Sequence, residues 1–167
     1  QSAPLYIMVI LQILLDSISA FLLCIAAIKL TGNRFAFLFC FLFYGIGCTI
    51  SVYNKFILTE SVSASLLSIS IYFLVDFYIK NKNSSLLYSS FFLTWAYFCR
   101  PVFFPFIVLV FFILLIYLLN QRKIRLIVFF ILPFAIIQGS WSVRNYLLKE
   151  KLFLLTETTY YPFYTSS

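Results

Sequence analysis

The sequence predicts an all-α, polytopic membrane bundle of about six helices, and three observations carry that prediction. Of its 167 residues, 63% are hydrophobic and only 10% charged, with mean hydropathy +1.04, so a water-soluble coat cannot be built from it. Its apolar runs approach the length of roughly 20 residues that a helix needs to cross about 30 Å of hydrocarbon. The charges fall almost entirely in the short gaps between those runs. Strand-type alternation is absent, which argues against a lipid-facing barrel.

The six expected spans cover 5–28, 35–53, 60–79, 85–99, 102–120 and 124–146, making 1–147 a helical core. Residues 148–167 then begin an extracytoplasmic loop. Pro4 suits the first turn of the first helix, where a missing N–H costs nothing. Thr31-Gly32-Asn33 supplies C-terminal punctuation. Asn81-Lys82-Asn83-Ser84 and Asn120-Gln121-Arg122-Lys123 read as tight polar turns. The fourth span is short, and Pro133 is expected to kink the sixth. The chain starts at Gln1 with no basic segment before its first apolar run. It stops just past a polar stretch at Thr165-Ser166-Ser167, so it is expected to be a piece of a longer protein.

A net charge of +7 would suggest nucleic acid in a soluble chain. Here loop-clustered basic residues have a plainer cause in membrane topology, and no nucleic-acid partner is expected. Gaps after spans one, three and five hold seven basic residues: Lys29, Arg34, Lys80, Lys82, Arg122, Lys123 and Arg125. The opposite side holds five: Lys55, Arg100, Arg144, Lys149 and Lys151. The excess makes the first set cytoplasmic and places Glu60, Arg100 and Arg144 together on the outer face. Trp95, Tyr97, Trp141 and Tyr146 are expected to form an aromatic belt at that interface. Cys24, Cys40, Cys48 and Cys99 lack paired or metal-ligand spacing and histidine is absent, so the cysteines read as small hydrophobes.

Glu60 follows Thr59 at the start of the third helix, where a Thr cap and a first-turn carboxylate complement the dipole. Arg100 and Arg144 end the fourth and sixth spans, also the favourable place for a cation. The dipoles do not explain why so few other charges share this face. Ser61, Ala64 or Ser65, and Ser68 form a small-residue stripe below Glu60 that reads as a packing face. Asp16, mid-span, must face the bundle or a wet cavity, with Gln12, Ser17 and Ser19 as polar company. Asp76 is explained by an ion pair with Lys80, four residues on. No phosphate-binding glycine loop, nucleophile elbow or metal-binding His cluster is present. Arginine forks at a membrane face suit a lipid-linked phosphate.

Four short motifs occur in order: Gln12-Ile13-Leu14-Leu15-Asp16-Ser17, Leu58-Thr59-Glu60, Arg100-Pro101 and, after a Trp-bearing sixth helix, Arg144-Asn145-Tyr146. Together they resemble the membrane core of GT-C glycosyltransferases, specifically the protein-mannosyltransferase and aminoarabinose-transferase-like group (glycosyltransferase family 39). The resemblance implies an enzyme of the cytoplasmic membrane that moves a sugar from a polyprenyl-phosphate donor to a protein, glycan or lipid acceptor on the outer face. It implies an acidic residue acting as the catalytic base in an outer loop that would precede Gln1, with Glu60 as a supporting acidic residue. Arg100, Arg144 and Asn145 carry over as candidates for binding the donor phosphate or shaping its cavity. Leu155-Thr156-Glu157 fits the following outer loop loosely. No cofactor is evident, although a divalent cation could assist as in some relatives. The rival reading is a non-enzymatic transporter or lipid flippase component. It predicts inverted repeats and broken helices, and the sequence has no internal repeat.

Overall fold

The computed structural model describes residues 3–46 and 59–149, and among these every regular element is helical. Six α-helices occur in the expected order: α1 Ala3–Thr31, α2 Phe35–Ile46, α3 Thr59–Lys80, α4 Asn83–Cys99, α5 Phe104–Asn120 and α6 Ile127–Lys149. Single 3₁₀ turns, Pro101–Phe103 and Ile124–Leu126, lead into α5 and α6. The fold class is therefore an all-α bundle. Four segments are long and apolar enough to cross a membrane: Tyr6–Thr31, Glu60–Lys80, Pro101–Asn120 and Ile124–Leu147. The end of the second expected span, Cys48 and the tail from Glu150, including Glu157, lie outside the described residues.

The polar turns form as their residues dictate. Gly32 closes α1 at φ 68° and donates its N–H to the Ile28 carbonyl at 2.8 Å. That left-handed conformation suits a residue without Cβ. Asn81 does the same for α3 at φ 52°, a region Asn tolerates. At the end of α5 the Arg122 N–H meets the Leu119 carbonyl (3.0 Å) and the Lys123 N–H meets Leu118 (2.9 Å). This paired closure holds Arg122 at φ 55°. α6 runs as one helix from Ile127 to Lys149 with Pro133 inside it, although proline has no N–H to donate at that position.

Side-chain contacts fix how the helices run. Gln12 meets Ser61, Asp16 meets Ser65 and Lys29 meets Asp76, so α1 and α3 are parallel. Glu60 meets Arg100, Ser70 meets Ser89 and Asp76 meets Ser85, so α3 and α4 are antiparallel. Ser90 bonds the Phe130 carbonyl, and Phe98 stands edge-on to Trp141, so α4 and α6 are parallel. Near the end of α3, Phe77 and Tyr78 both pack on Tyr117 of α5. The bundle thus has a Glu60 end and an Asp76 end, and the alternation expected from the charges is physically present.

The shortest of the expected spans, the fourth, is the most interior helix. α4 is 17 residues, about 26 Å at 1.5 Å per residue, and buries Ser85, Leu86, Ser89, Ser90, Leu93, Thr94, Ala96 and Tyr97. Leu86, Leu93 and Tyr97 join Phe77, Leu114, Leu118 and Phe130 in the core. Its buried hydroxyls are consumed internally: Ser85 Oγ donates to Asp76 Oδ2 at 3.0 Å, Ser89 Oγ meets Ser70 Oγ of α3 at 3.0 Å, and Thr94 Oγ1 donates to the Ser90 carbonyl at 2.8 Å. Small hydroxyl residues let α3 and α4 approach closely where lipid gives no hydrophobic drive to associate. Ser89 is fully buried in this seam, its hydroxyl 3.0 Å from that of Ser70. A Ser89→Leu substitution should therefore force the helices apart and cost about 2 kcal/mol, read as a lowered unfolding midpoint in mixed micelles.

Tyr97 corrects the expected aromatic belt. It is 6% exposed and packs between Phe104 and Phe134, at ring distances of 5.9 Å to each. Trp95 and Tyr146, at 45% and 54% exposed, do face outward near the Glu60 end. Tyr97 lies two residues after Trp95 on a helix, about 200° around it, so the two cannot share the lipid face.

Candidate functional site

The Glu60 end is assembled by two helix termini and a proline. The described part of α3 starts at Thr59, so Glu60 sits in its first turn, at the positive end of the dipole. At the facing terminus Pro101 disfavours helical backbone at the residue before it. Arg100 accordingly leaves α4 in an extended conformation (φ −147°, ψ 108°), its N–H still bonded to the Ala96 carbonyl at 3.0 Å. Antiparallel packing brings the two termini together, and the Arg100 Nη2 donates to Glu60 Oε1. The side chains remain 42% and 33% exposed, so the pair is open to a ligand from the membrane face. Two of the expected site residues are therefore in direct contact.

Directly beneath them lies a polar pair that joins α1 to α3. Gln12 is 5% exposed and donates from Nε2 to Ser61 Oγ, next to Glu60, rather than serving only as company for Asp16. One turn deeper, Asp16 Oδ1 accepts from Tyr44 OH at 2.5 Å and from Ser65 Oγ at 3.3 Å. Asp16 therefore faces the bundle, as a mid-span carboxylate must. The available signal was the matched spacing of Gln12/Asp16 and Ser61/Ser65, four residues apart on two parallel helices. The serine stripe of α3 divides between neighbours: Ser61 and Ser65 face α1, while Ser68 bonds back to the Ala64 carbonyl at 3.0 Å.

Arg144 stands at the same end but outside the ion pair. Its guanidinium lies 5.3 Å from the centre of the Trp141 ring, and Trp141 meets Phe98 of α4 edge-on at 5.8 Å. This arrangement, Arg144 on Trp141 on Phe98, links it through packing to the helix that ends in Arg100. Arg144 also lines a shallow, open recess with Ser140, Val143 and Leu147. Asn145 is half-buried on the same turn of α6. Chemically the end offers one carboxylate, one guanidinium already oriented by it, and a second guanidinium held over an aromatic face. Among the described residues no group of three or more His, Cys, Asp or Glu converges to hold a metal ion.

The Asp76 end is more heavily bonded than its sequence suggested. Asp76 Oδ1 takes Lys80 at 2.8 Å, as the four-residue spacing requires, but also Lys29 of α1 at 2.6 Å. Asp76 Oδ2 accepts from Ser85 of α4 at 3.0 Å. Lys29 additionally donates to Tyr72 OH at 3.1 Å, its ammonium 4.3 Å from that ring's centre. One carboxylate thus joins three helices. Cys24, Cys40 and Cys99 are free thiols within the helices. No protein-family model, no curated protein and no solved structure matches this chain.

Proposed function

We propose that this chain belongs to a membrane glycosyltransferase that moves a sugar from a polyprenyl-phosphate donor to an acceptor on the outer face. The observation that carries the reading is the Glu60–Arg100 pair, half-exposed at one end of a bundle of membrane-length helices. It joins the Leu58-Thr59-Glu60 and Arg100-Pro101 motifs on which the GT-C resemblance rests.

The chemistry follows from the two groups. Expelling a polyprenyl phosphate requires stabilising charge that develops on the phosphate oxygens. A guanidinium supplies planar, paired donors for those oxygens, and Glu60 orients it before the donor arrives. Glu60 is the supporting acid, and the general base that assists the acceptor hydroxyl is assigned to an outer loop upstream. Arg144, held over Trp141 on α6, is the second guanidinium this reading assigns to the donor phosphate.

The direct test is sugar transfer. Membranes carrying the full-length protein are given a radiolabelled sugar on a short-chain polyprenyl phosphate. Label should pass to acceptor, with polyprenyl phosphate released in equal amount. Movement of the intact donor across the bilayer without label transfer would replace this reading with the flippase one.

A further inference from the structure

We infer that the Asp76 end is a binding site for anionic phospholipid headgroups, a role separate from the Glu60 end. Contacts among α1, α3, α4 and α5 place three turns at this end, so the charges they carry belong to one surface. Those turns and the helix ends that enter them hold seven cations, and Asp76 is the one acid that the described residues place among them.

Asp76 cannot neutralise the surface, because its oxygens are already taken. Lys29 and Lys80 both bond Oδ1, and Ser85 bonds Oδ2. Two ammoniums on one carboxylate leave a net positive cluster, and Lys80 keeps a side chain 47% exposed. Each ammonium carries three donors, so Lys80 has donors left for a further acceptor. Around it Arg34, Lys82, Arg122, Lys123 and Arg125 are all exposed.

A second observation sets the depth of this surface. Tyr78 and Tyr88, 59% and 50% exposed, stand on α3 and α4 on either side of the α3–α4 turn, Tyr88 about one and a half turns into α4. Amphipathic tyrosine rings settle at the level of lipid headgroups. The cations therefore stand where phosphodiester oxygens are, and the occupant with complementary charge is a phospholipid carrying net negative charge. Attraction of this kind corresponds to about fivefold in affinity for each cation engaged.

The test uses the purified full-length protein in neutral detergent, titrated with short-chain phosphatidylglycerol, phosphatidylcholine or free glycerol phosphate while thermal unfolding is followed. Phosphatidylglycerol should raise the unfolding temperature, and added salt should weaken the effect. Phosphatidylcholine and glycerol phosphate should do little at the same concentrations. The Lys82→Gln/Lys123→Gln variant changes two exposed side chains and should need roughly 25-fold more phosphatidylglycerol for the same shift. Helical circular dichroism equal to wild type confirms that this variant is folded. Equal shifts from phosphatidylglycerol and phosphatidylcholine, or an unchanged titration in the variant, would overturn the inference. A matching shift from glycerol phosphate alone would also overturn it, by assigning the site to a soluble phosphate.

Discussion

Replacing Asp76 with leucine should destabilise the bundle by about 3 kcal/mol, the largest effect on stability expected from any single charged side chain here. The reason lies in how many helices the carboxylate serves. Its side chain is only 10% exposed, and it holds Lys29 of α1, Lys80 of its own helix and Ser85 of α4. Removing it leaves the Lys29 ammonium, 23% exposed, without its closest anionic partner. An uncompensated charge near the hydrocarbon boundary is the expensive product of such a substitution. Lys80→Gln should cost less than about 1 kcal/mol, because that side chain is half in solvent and can extend to the interface. The paired change Asp76→Leu with Lys29→Leu should recover much of the loss, since both charges then leave together. Unfolding in mixed micelles measures all three. An Asp76→Leu cost within 0.5 kcal/mol of zero would mean that the three-helix junction contributes nothing.

This junction also marks where the sequence stopped being legible. The i,i+4 relation of Asp76 and Lys80 is local and could be read from the chain. The 2.6 Å contact with Lys29 spans 47 positions and depends on α1 and α3 running parallel. Nothing in the spacing of residues along either helix states that they are neighbours. The helices themselves were legible because apolar length and polar turns are local properties: Asn81 and Arg122 turn the chain inside the segments expected to turn it. Parity then placed Glu60 and Arg100 at one end, and Pro101 explained why Arg100 leaves its helix extended.

Tyr97 was misplaced for a related reason. Its side chain is amphipathic and its position near a helix end suits an interface, but α4 is the interior helix of the bundle. Which face of α4 meets α5 and α6 is decided by packing against Phe104 and Phe134, residues distant in sequence or across a turn. Gln12 shows the same limit: its nearest polar neighbours in the chain are Asp16 and Ser17, but its side chain bonds Ser61 on another helix.

The second large effect concerns the Glu60 end. If Arg100 stabilises the departing phosphate, Arg100→Ala should lower sugar transfer by about 10²–10³-fold, the range for losing one preorganised donor to developing negative charge. Arg100→Lys should recover little, because an ammonium cannot reproduce the paired planar donors of a guanidinium. Glu60→Gln keeps the volume and a hydrogen-bond acceptor but removes the charge that orients Arg100, and should cost roughly tenfold. Stability should change by less than about 1 kcal/mol in each case, since both side chains are substantially exposed.

A reciprocal exchange separates the site from a mere helix tether. Glu60→Arg combined with Arg100→Glu restores an ion pair between the same helix ends, but moves the guanidinium to α3 and sets both charges against the helix dipoles. The decisive measurement is the sugar-transfer rate of this exchanged protein and of Arg100→Ala, at equal membrane abundance, against wild type. The account predicts that both remain at least a hundredfold below wild type. Full transfer by the Arg100→Ala protein, or its restoration by the exchange, would contradict it and leave Glu60 and Arg100 as a structural pair joining α3 to α4.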